Sequence, residues 1–220
     1  VAASAAAPAA DQPAPAATLD AFGRWVIAAD FAGDGATLAT AGGESLLYRP
    51  GDVVVWKADG TRVGDLPGHP TAVWAVKISR DGKLAATAGY DGLVKLWDYP
   101  ARTLKTDLKK HKGWVRSLDF SPDGTKLATA GEDGAVILWG TADGSELKTI
   151  AAHAGPVTAV EFAPDGGALA IVEQRRDVHG ERRRLDFAAI NGRRRIARHE
   201  AAAEVRAARD RGEADIPLHM

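Results

Sequence analysis

Two stretches of the chain place an imidazole, a hydroxyl and a carboxylate at matching intervals. His69, Thr87 and Asp91 form one set and His111, Thr129 and Asp133 the other, with Trp97 and Trp139 following each aspartate. A hydroxyl, a histidine and an aspartate are the residue types of a nucleophile, its general base and the group that orients the base. Repetition argues against that reading, because the set recurs 42 residues further on, as a scaffold element does and a single reaction centre does not. Neither Gly-x-Ser-x-Gly nor His-Glu-x-x-His occurs, so no hydrolase or metalloprotease signature supports chemistry. The six histidines are scattered without zinc-like spacing, and no Asp-x-Asp-x-Asp calcium loop is present. With no cysteine in the chain, disulfides, thiolate nucleophiles and Cys-ligated metals are excluded within it. No metal, cofactor or catalytic residue is expected.

The elements that carry these residues repeat as well. "FAGDGATLATA" from Phe31, "ISRDGKLAATA" from Ile78, "FSPDGTKLATA" from Phe120 and "FAPDGGALAIV" from Phe162 place Asp-Gly pairs at Asp34, Asp81, Asp123 and Asp165, in steps of 47, 42 and 42. An aromatic follows each, at Trp56, Trp97, Trp139 and Phe187. Within a unit the apolar pattern has period two and comes in short runs, the signature of strands. The second unit reads "VWAVKIS", "KLAATA", "LVKLWD" and "RTLKTDL", with Asp-Gly turns between the first three. Asp-Gly is the strongest short hairpin signal, so each unit is expected to be four antiparallel strands, a to d, joined by tight turns.

This order of histidine, Asp-Gly turns and strand-c tryptophan resembles the WD40 repeat family, whose period is roughly 40–45 residues and whose blades build β-propellers. The resemblance implies an all-β fold. It also implies a buried chain of hydrogen bonds running from tryptophan through threonine and histidine to aspartate. For this sequence that means His69, Thr87, Asp91 and Trp97, then His111, Thr129, Asp133 and Trp139. The first unit keeps Thr40 and Trp56 but has no leading histidine. The fourth has His153, with Ile171 at the threonine place and Phe187 at the tryptophan place, and is expected to rely on plain packing.

Four blades are expected, at about 19–67, 68–109, 110–151 and 152–202. Residues 1–18, almost wholly Ala and Pro, read as a linker, with the remnant of a signal peptide as the alternative. Residues 203–220 read as the start of a fifth blade or a tail. From residue 173 onward the chain holds twelve Arg and no Lys. Four blades suggest a partial propeller that needs further blades or another chain to close.

In a propeller the d–a connections and b–c turns share one rim, and binding residues concentrate on loops carried by a rigid scaffold. The first and fourth units each insert six residues at the b–c turn, bringing Tyr48 and Arg49 in one and Arg175 and Arg176 in the other. Trp25 and Trp114 precede Val26 and Val115, both expected to be buried. Trp74 and Arg116 follow the corresponding valines, and Tyr90 sits beside Asp91. These nine residues, Trp25, Tyr48, Arg49, Trp74, Tyr90, Trp114, Arg116, Arg175 and Arg176, are of the types enriched in binding hot spots. "KKHK" at Lys109–Lys112 adds positive charge to the same rim. The net charge of −1 and the 45% hydrophobic, 26% charged composition point to neither nucleic acid nor membrane. The expected function is a non-enzymatic scaffold for protein or peptide partners. The alternative is a sensor or regulatory domain of a larger enzyme. Composition assigns no compartment.

Overall fold

Each repeat folds as an antiparallel meander whose turns are set by its Asp-Gly pairs. In the second and third repeats Gly82 and Gly124 sit at φ of 69°, a left-handed conformation that glycine adopts without steric cost. Their amides donate to the carbonyls of Ser79 and Ser121 at 2.8 Å. The neighbouring aspartates lock the same turns. Asp81 Oδ1 accepts from Ser79 Oγ at 2.7 Å and from the Lys83 amide at 3.1 Å. Asp123 Oδ1 accepts from Ser121 Oγ at 2.6 Å and from the Thr125 amide at 3.0 Å. The Ser121 bond first, and the Thr125 bonds after it, draw the Asp123 carboxyl down to about 2.

The computed structural model describes residues 19, 25–43, 49–66, 68–151, 153, 155–177 and 180–189, with the backbone alone at 151, 175–177 and 180–189. The first sheet comprises β1 (Trp25–Phe31), β2 (Thr37–Gly43), β3 (Asp52–Lys57) and β4 (Arg62–Asp65). The second comprises β5 (Val73–Ile78), β6 (Leu84–Gly89), β7 (Leu93–Asp98) and β8 (Thr103–Lys109). The third comprises β9 (Val115–Phe120), β10 (Lys126–Gly131), β11 (Ala135–Gly140) and β12 (Glu146–Ala151). The fourth has three described strands, β13 (Val157–Phe162), β14 (Ala168–Asp177) and β15 (Gly180–Ala189). The Asn-Gly pair at Asn191, a hairpin-turn signal in the sequence, lies outside the described residues. The protein is all-β, and its sheets form an open array of propeller-type blades.

Each inner blade buries both faces, one against each neighbour. Val115, Leu118, Phe120, Leu127, Ile137 and Trp139 of blade three pack on Ala86, Ala88, Val94, Leu96 and Leu108 of blade two. Its other face, Ala128, Ala130, Val136 and Leu138, meets Val157, Val160, Phe162, Leu169 and Ile171 of blade four. Strands buried on both sides read as apolar runs, which is why "AVILWG" and "KLATA" look so uniformly apolar. Small alanines on one blade accommodate the large rings of the next. Burying one such large side chain contributes roughly 1.5–3 kcal/mol, against about 1 kcal/mol for a hydrogen bond. Apolar contact therefore holds the seams, and polar contacts set their register.

The first blade departs from this pattern. Val26 pairs with Gly42 as Val73, Val115 and Val157 pair with Gly89, Gly131 and Glu173. Those three valines are fully buried, whereas Val26 is 50% exposed. The expectation that Val26 is buried is therefore wrong. In blades two to four this valine lies against the preceding blade, and among the described residues no blade precedes β1. Phe31 is exposed for the same reason, although Thr40 and Trp56 further out on the same sheet stay buried.

Two carboxylates reach across seams at the inner strands. Asp30 Oδ2 accepts the Ile78 amide of blade two at 2.7 Å, and Asp119 Oδ2 accepts the Phe162 amide of blade four at 2.7 Å. Lys77 stands at the corresponding place in blade two and pairs back to Asp30 at 3.3 Å. Burial pushes the Asp119 carboxyl up to about 6, against the pull of the Phe162 amide and of Lys77. Between the unfolded value and about 6 the native state holds a proton that the unfolded chain has lost, so this group lowers stability as pH rises through that window. Asp119→Asn keeps the acceptor without the titration. Its stability relative to the wild type is expected to rise by about 2 kcal/mol between pH 4 and pH 7, measured by urea denaturation. A difference independent of pH would contradict the assignment.

Candidate functional site

The candidate triads do form, and their placement explains what they do. In blade three Trp139 Nε1 donates to Thr129 Oγ1 at 3.0 Å, His111 Nε2 lies 2.8 Å from the same oxygen, and His111 Nδ1 lies 3.0 Å from Asp133 Oδ1. The carboxylate can only accept, so Nδ1 carries the proton and Nε2 receives the threonine hydrogen. One continuous chain of donors runs from ring to turn. Blade two repeats it through Trp97, Thr87 and His69, with Trp97 Nε1 to Thr87 Oγ1 at 2.9 Å and His69 Nε2 to the same oxygen at 2.8 Å. Its last step is a 3.5 Å approach of His69 Nδ1 to Asp91 Oδ2, too long for a hydrogen bond, and both atoms are buried without one.

Hydroxyl, imidazole and carboxylate are thus connected as in a nucleophilic triad, but no substrate can reach them. Thr87 and Thr129 have no exposed surface, and each hydroxyl oxygen is already occupied by an indole N–H. Burial raises the carboxyls of Asp91 and Asp133, but polar contacts outweigh it and leave both below the ordinary value. These come from His69 and the Leu93 amide in one case, and from the Lys112 amide and His111 in the other. The chain pins the b–c turn and the d–a connection to the third strand of the blade.

The first blade has only the first link, Trp56 Nε1 to Thr40 Oγ1 at 2.7 Å. The fourth departs further than its sequence suggested. Ile171 pairs with Asp186 as Thr129 pairs with Ile137, and Leu169 pairs with Ala188 as Leu127 pairs with Trp139. Ala188, and not Phe187, therefore stands at the tryptophan register. Blade four is not left to packing alone. His153 Nδ1 lies 3.4 Å from Glu173 Oε2, both side chains are buried, and the Gly155 amide donates to Glu173 Oε1 at 3.1 Å. Glu173 occupies the place of Gly131, where an added Cβ would sit 3.2 Å from His111 Nδ1. The carboxylate reaches the histidine from strand b instead of from the turn. The glutamate that replaces the glycine in "LAIVE" was the available signal.

On the rim, four of the nine candidate binding residues meet across the seam of blades two and three. Tyr90, in the b–c turn of blade two, lies between Trp74 and Trp114, with ring centroids 6.3 Å and 3.6 Å away. The Arg116 guanidinium is 5.6 Å from the Trp74 ring and 5.8 Å from the Trp114 ring, within cation–π range, and pairs with Glu132. All five side chains are half-buried. Trp74 Nε1 is a buried donor with no hydrogen bond. Trp25, on blade one, leaves 69% of its surface exposed, and Arg49 is exposed as well. Tyr48 lies outside the described residues. Arg175 and Arg176 are not in a loop. They belong to β14, which pairs with β15 out to Asp177 and Gly180. Of the lysines in "KKHK", Lys109 pairs with Asp107 and Lys110 with Glu146, while Lys112 is exposed.

Thr129→Val keeps the shape of the side chain and strands both an indole N–H and an imidazole nitrogen. It is expected to lower stability by about 1–3 kcal/mol in chemical denaturation. Thr40→Val, which removes one hydrogen bond of Trp56 and none of a histidine, should cost less. Equal effects, or none, would remove the structural role of the chain.

Comparison with known proteins follows the repeats. The family model described as "WD domain, G-beta repeat" matches residues 60–98, 102–140 and 144–171. Each match begins before the first strand of one blade and ends on the second or third strand of that blade. The repeat frame is thus offset from the sheets, and one repeat links two blades. The chain is similar to eukaryotic translation initiation factor 3 subunit I from Aspergillus niger, 40% identical over 43 residues, and to the same subunit from Neosartorya fischeri and Aspergillus oryzae, each 42% identical over 43 residues. Each match spans 20% of this chain and 13% of the relative. The meander sheets, the threonine-centred chains and the three matched repeats agree: the chain belongs to the WD40 repeat family.

Proposed function

We propose that the protein is a non-enzymatic scaffold that binds protein or peptide partners through the rim of its b–c turns and d–a connections. The observation that carries this reading is the cluster of Trp74, Tyr90, Trp114 and Arg116. Buried aromatic and arginine anchors dominate binding energy where they lie in a preformed, partly desolvated patch. Here three rings and a guanidinium are held on two blades whose turns are pinned from below. The pinning reduces the ordering cost that binding otherwise incurs. The relatives are named as subunits of a larger factor, in keeping with a role in assembly. The residues that could do chemistry are sealed beneath the rim, which leaves binding as what this surface offers.

The test is affinity capture with the chain and with a Tyr90→Ala/Trp114→Ala/Arg116→Ala variant, the captured proteins being quantified by mass spectrometry. Arg80→Ala, at the a–b turn away from the rim, serves as the control. Partners are expected to fall at least tenfold with the rim variant and to persist with the control. Identical partner lists from all three proteins would sink the reading.

A further inference from the structure

The fourth blade carries a feature that blades two and three lack. In blade three the b–c turn follows directly on Gly131, whose carbonyl accepts the Gly134 amide at 3.1 Å. In blade four the hairpin continues past the equivalent Glu173 through four further register pairs, Gln174 with Arg183, Arg175 with Arg182, Arg176 with Glu181 and Asp177 with Gly180. At ~3.4 Å per residue, four more pairs lengthen the ribbon by about 14 Å, at the end of the blade where the b–c turns form the rim.

The residues on this extension are unusual for the chain. Between Gln174 and Arg184 there are five arginines, at 175, 176, 182, 183 and 184, against Asp177 and Glu181. The ribbon thus has a formal excess of three positive charges in a chain whose net charge is −1. Arg175 and Arg182 are direct cross-strand partners. Like charges directly opposite one another destabilise a sheet, while the neighbouring pairs Glu173 with Arg184 and Arg176 with Glu181 set opposite charges across the ribbon. Five arginines against two carboxylates leave the ribbon with positive charge that its own acidic residues do not match in number. A paired ribbon also holds the arginines at fixed spacing, as a flexible loop would not, and arginine can engage carboxylates through two parallel hydrogen bonds.

We infer that the partner of the rim is an acidic protein segment, and that the β14–β15 ribbon supplies the charge that holds it. The inference rests on the rim reading and adds the chemistry of the occupant. The aromatic cluster favours a protein over a polyanion alone, because three rings and a single arginine provide an apolar anchor site and not a track for phosphates. The ribbon supplies long-range attraction and the cluster supplies desolvated contact.

The test uses the full chain and three fluorescent probes. One is a twelve-residue peptide of Asp and Glu with a central Phe, one is its Asn and Gln counterpart, and one is single-stranded poly(U) of equal charge. Binding is read by anisotropy at two salt concentrations. The acidic peptide is expected to bind at least tenfold tighter than the neutral peptide and tighter than poly(U), and to weaken as salt rises. Replacing Arg175, Arg176, Arg182 and Arg183 with Gln should cost at least tenfold and flatten the salt dependence. Replacing the same four with Lys should restore the salt dependence. Trp114→Ala should weaken binding and leave the salt dependence intact. An unchanged affinity in the Gln variant, with Trp114→Ala still weakened, would overturn the ribbon and leave the rim reading standing. No loss from either variant would overturn both. Tighter binding of poly(U) would overturn the choice of a protein partner.

Discussion

A threonine hydroxyl on the second strand of a blade has one hydrogen to give and two ring nitrogens to satisfy. In blades two and three it does both, accepting from the tryptophan of strand c and serving the histidine of the d–a connection. The arrangement works only if the oxygen is buried, because water would otherwise compete for each link. It works only with threonine or serine at that place, because no other side chain there is both donor and acceptor at that length. Everything above it depends on this bond. In blade three the histidine holds the aspartate and the aspartate holds the turn that presents Glu132; in blade two the histidine stands against the aspartate of the turn that presents Tyr90.

The same dependence explains why the blades differ. Where histidine is missing, in blade one, the chain stops at the threonine. Where threonine is missing, in blade four, a buried glutamate meets the histidine from the strand. The hairpin runs on as a ribbon out to Asp177 and Gly180. Apolar contact between sheets tolerates all three versions, because the seams between neighbouring blades stay buried in each.

Much of the fold was legible in the residues. The period of 42, the Asp-Gly turns and the apolar runs of β6, β7, β10 and β11 specify meander sheets without ambiguity, since turn chemistry and strand pattern agree. The hydrogen-bonded chain was legible as well, but only through the family resemblance. What was not legible depends on register and on neighbours. Phe187 was placed at the tryptophan position by counting along the chain, and the observed register, with Asp177 opposite Gly180, differs from that count by one, which moves a position to the other face of a sheet. Val26 looks like every other strand-a valine, and its exposure follows from the absence of a preceding sheet among the described residues, which no local pattern records. On the rim, residue types marked Trp74, Tyr90, Trp114 and Arg116 as candidates. That these four meet, and that Trp25 lies on a different blade, follows from the seam between blades two and three.

The claim on which the account rests is that indole, hydroxyl, imidazole and carboxylate act as one unit that secures the rim, and not as separate contacts or a latent reaction centre. A double-mutant cycle between His111→Ala and Trp139→Phe tests this most directly, because the two residues share Thr129 as their common partner. Stability by chemical denaturation should show a coupling energy of at least about 0.5 kcal/mol. Additivity within about 0.3 kcal/mol would mean that the two bonds are independent, and would contradict the account.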